Sequence, residues 1–142
     1  MKYYKIILVL LLAFVCSSSN TPDYKKGKGI AFFKGTWEEA LTKAKEEDKF
    51  IFLEFYATWC PPCKKLKRTS FKDQKVGSYY NKNFINITID AESKEGLEIA
   101  RRYGVKTYPT LFIVDANGQP RAKSTGFKKP HILINFGRRV VP

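Results

Sequence analysis

Phe50-Ile51-Phe52-Leu53-Glu54-Phe55-Tyr56-Ala57-Thr58-Trp59-Cys60-Pro61-Pro62-Cys63-Lys64 is the stretch on which the fold turns. Its first seven residues are apolar except for Glu54. That continuous pattern fits a strand covered on both faces rather than one with a wet side. Two cysteines three positions apart then open a segment that reads as helix to about Phe71. Cys60 falls at the N-cap and Pro61 at the first helical position, where a missing N–H leaves nothing unpaired.

The flanking sequence extends this frame in both directions. Upstream, Ile30 to Phe33 reads as an edge strand. Thr36-Trp37-Glu38-Glu39 is a capping box, followed by Trp37, Ala40, Leu41 and Ala44 on one helical face. Downstream, Val76 to Lys82 continues the helical region, and Ile85, Ile87 and Ile89 alternate with Asn86, Thr88 and Asp90 as in a half-buried strand. Leu97, Ala100 and Tyr103 share a helical face that ends at Gly104. Leu111 to Val114 reads as a strand, Asn117-Gly118 as a hairpin turn and Arg121 to Thr125 as the return strand. Pro130 opens a last helix with Ile132, Leu133 and Phe136 facing inward. The order β-α-β-α-β-α-β-β-α predicts an α/β domain, a mixed central β-sheet flanked by helices on both faces.

A chain of 142 residues, 44% hydrophobic, suits one such domain and is short for two. Its N-terminus stands apart. Lys2 and Lys5 precede an unbroken apolar run from Ile6 to Cys16, and Ser17-Ser18-Ser19-Asn20 follows. The run is about half of the ~20 residues a spanning helix needs, and the order is that of a secretory signal peptide. The expected division is a signal peptide over 1–18, a tether over 19–29 and the folded domain over 30–142. Cleavage before Cys16 with a lipid on its sulfur is the alternative, disfavoured because Val15 is not the small residue such signals prefer. The formal charge is +13, or +11 without Lys2 and Lys5. For an exported chain this excess points to an anionic membrane, an acidic protein or simply a solvated basic face, and not to nucleic acid.

Of three cysteines one lies in the signal segment, so Cys60 and Cys63 are the pair that remains. A bridge closing so small a loop removes little chain entropy, which favours a reactive role over a structural one. The thiolate is the nucleophile of disulfide exchange, and a helix N-terminus favours negative charge. Cys60 is therefore expected to attack and Cys63, one turn further in, to resolve the mixed disulfide. Pro61 and Pro62 withhold two N–H donors from the Cys60 sulfur and so tune the loop. Lys64, Lys65, Lys67 and Arg68 add positive charge, either to the site or to a solvated face. Glu54, if buried without a partner, would hold its proton toward neutral pH and could accept the Cys63 proton. His131 reads as structural or surface. Zinc wants four ligands and finds two sulfurs and a remote histidine, so no metal and no cofactor beyond the redox-active disulfide are expected. Cu(I) handling by the CxxC pair is the alternative class, and a redox-silent binding module is disfavoured by the intact pair.

Trp59 ahead of the CxxC pair, the apolar strand leading into it and the later Tyr108-Pro109-Thr110 resemble the thioredoxin superfamily over about residues 30 to 140. Within it, the run from Cys63 to Phe71, with Val76 and Asp90, resembles reductase domains such as the C-terminal domain of DsbD, and the WCPPC string resembles the TlpA group. The resemblance implies a thioredoxin fold and a buried acid at Glu54. It implies a cis Pro109 lying against the two cysteines. Tyr108 and Trp59 would shape the substrate groove there, where an extended chain can pair as an added strand. It places at Asn86 the neighbouring-strand lysine that some relatives pair with the acid. It further implies a protein-disulfide oxidoreductase acting as a reductase; with the signal peptide, the expected location is the periplasm, and a monomer is expected. Its partners would be disulfide-containing proteins or peptides and a membrane or soluble dithiol donor, with oxidase or isomerase direction as the alternative.

Overall fold

Glu54 and its apolar neighbours form the centre of the sheet. The computed structural model describes residues 29–142; the expected signal peptide, Cys16 and all of the tether but Gly29 lie outside the described residues. Strand β1 (Phe50–Tyr56) pairs in parallel with β2 (Phe84–Asp90) and antiparallel with β3 (Thr110–Val114). β3 pairs antiparallel with β4 (Pro120–Thr125), giving the order β2-β1-β3-β4. Helices α1 (Trp37–Glu46), α2 (Pro61–Arg68), α3 (Gln74–Asn83), α4 (Lys94–Arg102) and α5 (Pro130–Arg138) complete the domain, with a 3₁₀ turn at Ser70–Lys72.

The alternation of side chains along β1 sorts the core into two layers. Ile51, Leu53 and Phe55 pack with Trp37, Ala40 and Ala44 of α1 and Ile99 and Ala100 of α4. Phe52 packs on the other face with Leu66 of α2, Phe71, Val76 and Tyr80 of α3, and Leu133 and Phe136 of α5. This is why β1 tolerates no polar residue but Glu54: both of its faces are covered. The capping box at Thr36 and Glu39 is made in full, each residue's side chain accepting from the other's backbone N–H. The β3–β4 hairpin closes on Gly118 at φ 79°, where Asp115 accepts from the backbone N–H groups of Asn117 and Gln119.

The structure differs from the sequence reading in five places. Ile30 to Phe33 is not a strand. Only the Phe33 N–H reaches a β2 carbonyl, that of Asn86. The Ile30 N–H goes to Phe71, and the backbone of Ala31 is met by the Asn81 and Asn86 side chains. A ladder satisfied by amide side chains cannot repeat along the edge. The same bonds bury Asn86, at 3% exposure, in a strand expected to be half-solvated there. Gly29, assigned to the tether, is packed: its φ is +96° and a Cβ would lie 2.2 Å from the Phe71 carbonyl oxygen.

The remaining differences concern which helical face turns inward. In α4 the buried residues are Gly96, Ile99 and Ala100, while Leu97 is 40% exposed. A Cβ on Gly96 would stand 1.9 Å from the Asp90 carbonyl oxygen, so close approach of backbone to β2 selects the glycine face and rotates Leu97 out. In α5, Gly137 lies against the Tyr79 ring and the Tyr80 hydroxyl donates to the Leu133 carbonyl. Leu133 and Phe136 are thereby turned inward and Ile132 is left 41% exposed.

Candidate active site

Strand β1 ends at Tyr56, and a short turn through Ala57, Thr58 and Trp59 carries the chain to the start of α2. Cys60 is the N-cap, in extended conformation, with Pro61 and Pro62 in the first helical positions. Cys60 and Cys63 are joined as a disulfide with Cα atoms 5.4 Å apart. The Cys63 N–H points at the Cys60 sulfur at 3.3 Å. It is the first donor the helix can offer, because the two residues before it are prolines. Both cysteines are almost wholly buried in this oxidised state, so exposure does not separate the expected attacking sulfur from the resolving one; position at the helix end does.

Replacing Pro62 with alanine restores an N–H in the first turn. The reduced Pro62→Ala protein is expected to show a lower Cys60 pKa than wild type and a more oxidising disulfide. Thiolate ultraviolet absorbance against pH measures the first quantity; an unchanged or raised pKa contradicts it.

The sulfurs sit in a small cluster with Ala57, flanked by Tyr56 and Tyr108. Tyr108 is carried there by the loop before β3, and the Tyr108–Pro109 peptide is cis. Trp59 stands 61% exposed beside them. Its ring meets Tyr108 edge-on at 6.2 Å between centroids, and its indole N–H donates to the Glu92 carboxylate at 2.9 Å. Trp59, from the CxxC turn, and Tyr108, from the loop before β3, thus meet beside the disulfide from two separate segments, with Pro109 next to Tyr108 in the chain. Glu92 was not singled out in the sequence. Its signal was its place just past the end of β2, where a loop leaves the same sheet edge as the CxxC turn.

Glu54 is fully buried and neither carboxyl oxygen has a hydrogen-bond partner. Burial pushes its pKa up to about 8, against a weaker opposing pull from Lys67. Its partners across the sheet are Thr88 on β2 and Leu111 on β3. Asn86, where the resemblance placed a possible lysine, faces Phe52 instead and spends its amide on Ala31 and Asn81. The basic run on α2 is not uniform. Lys64, Lys65 and Arg68 are exposed and Lys67 is half-buried. Lys65 lies over the Phe127 ring at 4.7 Å and Lys67 over the Tyr56 ring at 3.2 Å. His131 is exposed on α5.

Residues 37–140 match the family model of the thioredoxin-like domain. The chain belongs to the thioredoxin-like family. Thioredoxin-1 of Drosophila melanogaster is 33% identical over 95 residues, which cover 67% of this chain and 82% of that protein. The thiol:disulfide interchange protein DsbD of Vibrio vulnificus is 32% identical over 107 residues, 72% of this chain and 18% of that protein. Among solved structures, a candidate disulphide-isomerase from Bacteroides thetaiotaomicron is 38% identical, with a TM-score of 0.69 over 77% of this chain and 90% of that one. The chain spans about a fifth of the length of the disulfide-isomerase and DsbD relatives it matches. The thioredoxin fold expected from the sequence is the fold observed, a mixed four-stranded sheet flanked by helices. Membership places the protein among the thiol–disulfide oxidoreductases.

Proposed function

We propose that this thioredoxin-like protein is an exported reductase of disulfides in proteins or peptides. The observation that carries the reading is the Cys60–Cys63 disulfide at the N-cap of α2, packed against Tyr108 of the cis Tyr108–Pro109 peptide and preceded by an exposed Trp59. In the reduced protein the Cys60 thiolate attacks one sulfur of a substrate disulfide, and the other substrate sulfur leaves as a thiolate. A mixed disulfide then joins Cys60 to the substrate. Cys63 loses its proton to Glu54 and attacks the Cys60 sulfur; the bond to the substrate breaks and the second substrate thiolate departs. The substrate gains two electrons and the protein is left as the Cys60–Cys63 disulfide, which a dithiol donor, membrane-bound or soluble, must reopen. No metal or organic cofactor takes part.

Glu54 suits the proton step because a carboxyl titrating near 8 is close to the range of a thiol. Trp59 and Tyr108 offer apolar walls for the substrate chain, and Pro109, lacking an N–H, sits at the groove where that chain would pair as an added strand. Export rests on the order of charge, apolar run and small residues at the N-terminus. Among the described residues no helix is long and apolar enough to cross a membrane. Reduction rather than oxidation is favoured by the two prolines, which leave the Cys60 thiolate with one fewer N–H than a loop carrying a single proline.

Equilibration with dithiol–disulfide buffers of graded poise, followed by thiol trapping and mass analysis, tests the direction. A reductase is expected to have a midpoint near or below about −230 mV; a value near the roughly −120 mV of strong oxidants would reverse the assignment.

A further inference from the structure

Glu54 is the only acidic or basic side chain that is buried among the described residues. The groups facing it come from four elements. Its own strand offers Tyr56, two residues on and therefore on the same face. β2 offers Thr88 directly opposite, with Asp90 opposite Tyr56. β3 offers only the apolar Leu111. Helix α2 offers Lys67. The residues of β2 and β3 include no cation. The α2 cation is held in place: its ammonium lies 3.2 Å from the centre of the Tyr56 ring, and it is the half-buried member of a run whose other members are exposed. Lys67 and Thr88 line one cavity of about 310 Å³, walled by Ile30, Phe32 and Phe71 with the exposed Lys72 at its rim. On α2 itself Lys67 is four residues from Cys63, hence on the same helical face one turn further along.

We propose that Lys67 is the positioning residue that governs when Glu54 gives up its proton: its ammonium, fixed on the Tyr56 ring between the Cys63 face of α2 and the β1–β2 register, draws the carboxyl toward the charged form and so readies it to receive the Cys63 proton. The inference rests on the reading of Glu54 as that acceptor. Burial and Lys67 act on the carboxyl in opposite directions, and Lys67 is the one charge that opposes burial. Without it, Glu54 stays protonated further into the alkaline range and the resolving step slows at neutral pH.

The test uses the full chain in its oxidised form, in which the cysteines do not titrate. The Glu54 side-chain carbon resonance is followed against pH in wild type, Lys67→Met and Lys67→Arg, with Glu54→Gln to identify the signal. The midpoint is expected to rise by roughly 0.5–1 pH unit in Lys67→Met and to stay near the wild-type value in Lys67→Arg. If Lys67→Met does not unfold cooperatively, Lys67→Gln, which retains a polar head over Tyr56, takes its place. An unchanged or lowered midpoint in a cooperatively folded variant overturns the proposal. The pH profile of disulfide reduction is then compared. A rate profile that follows the Glu54 midpoint upholds the proposal. A shifted midpoint with an unmoved rate profile instead removes Glu54 from proton transfer, and the failure lies with the acceptor reading rather than with the hold of Lys67 on the carboxyl.

Discussion

Cys63→Ser is expected to stop the reaction halfway, leaving a protein that attacks a disulfide once and stays covalently attached to it. The N-cap position of Cys60 is untouched by the change, and the N–H of residue 63 still points at the Cys60 sulfur, so the nucleophile and its stabilising donor survive. What disappears is the second thiol, which must break the mixed disulfide. Turnover should fall by roughly a thousandfold or more, while a peptide disulfide offered in excess yields one adduct per protein, visible by mass and released by a dithiol. Cys60→Ser should lose turnover to the same degree and form no such adduct, because Cys63 sits inside the first turn. Equal adduct formation by both variants would mean that the two sulfurs are interchangeable and that the helix end does not choose between them.

The second large effect is on stability. Glu54 titrates near 8 in the folded protein against an ordinary value of 4.5, so the folded state holds this proton more tightly than the unfolded chain does. Below about pH 4.5 both states carry it. Between there and about pH 8 the unfolded chain ionises while the folded one does not, and stability falls across that window before levelling off above it. Each pH unit inside the window is worth about 1.4 kcal/mol, which makes the loss from pH 5 to pH 8 on the order of 3 kcal/mol. Glu54→Leu, which fills the site without a carboxyl, should abolish this slope and be more stable than wild type by a similar amount at pH 8, while resolving mixed disulfides more slowly. Guanidinium unfolding of both oxidised proteins at pH 5, 7 and 8 measures the difference. Parallel stability profiles would show that the carboxyl is paired or solvated after all.

These effects trace back to features that the sequence displays locally. An apolar run interrupted once is visible without a structure, and so are a CxxC pair followed by helix and a capping box; each depends on neighbours within a few positions. Pro109 was legible only through the resemblance, since a proline before a strand is by itself an ordinary turn residue. The features that escaped are those decided by partners distant in the chain. Leu97 and Ile132 look like core residues by spacing, yet the close approach at Gly96 and Gly137 seats each helix with that residue outward. Ile30 to Phe33 has strand composition but meets amide side chains where a ladder would need carbonyls and N–H groups. Glu92 carries no motif, and Lys67 is one of a basic run whose members the sequence does not tell apart. Their roles appear only when the fold brings one to the Trp59 indole and the other to the Tyr56 ring.

The most direct measurement is of the sulfur pair itself. The purified protein is reduced with a dithiol, freed of reagent and offered a protein containing a single disulfide, with free thiols trapped and weighed over time. Two thiols should vanish from positions 60 and 63 together as two appear on the offered protein, one pair for one pair. A reduced protein whose thiols persist beside an unchanged disulfide would contradict the account.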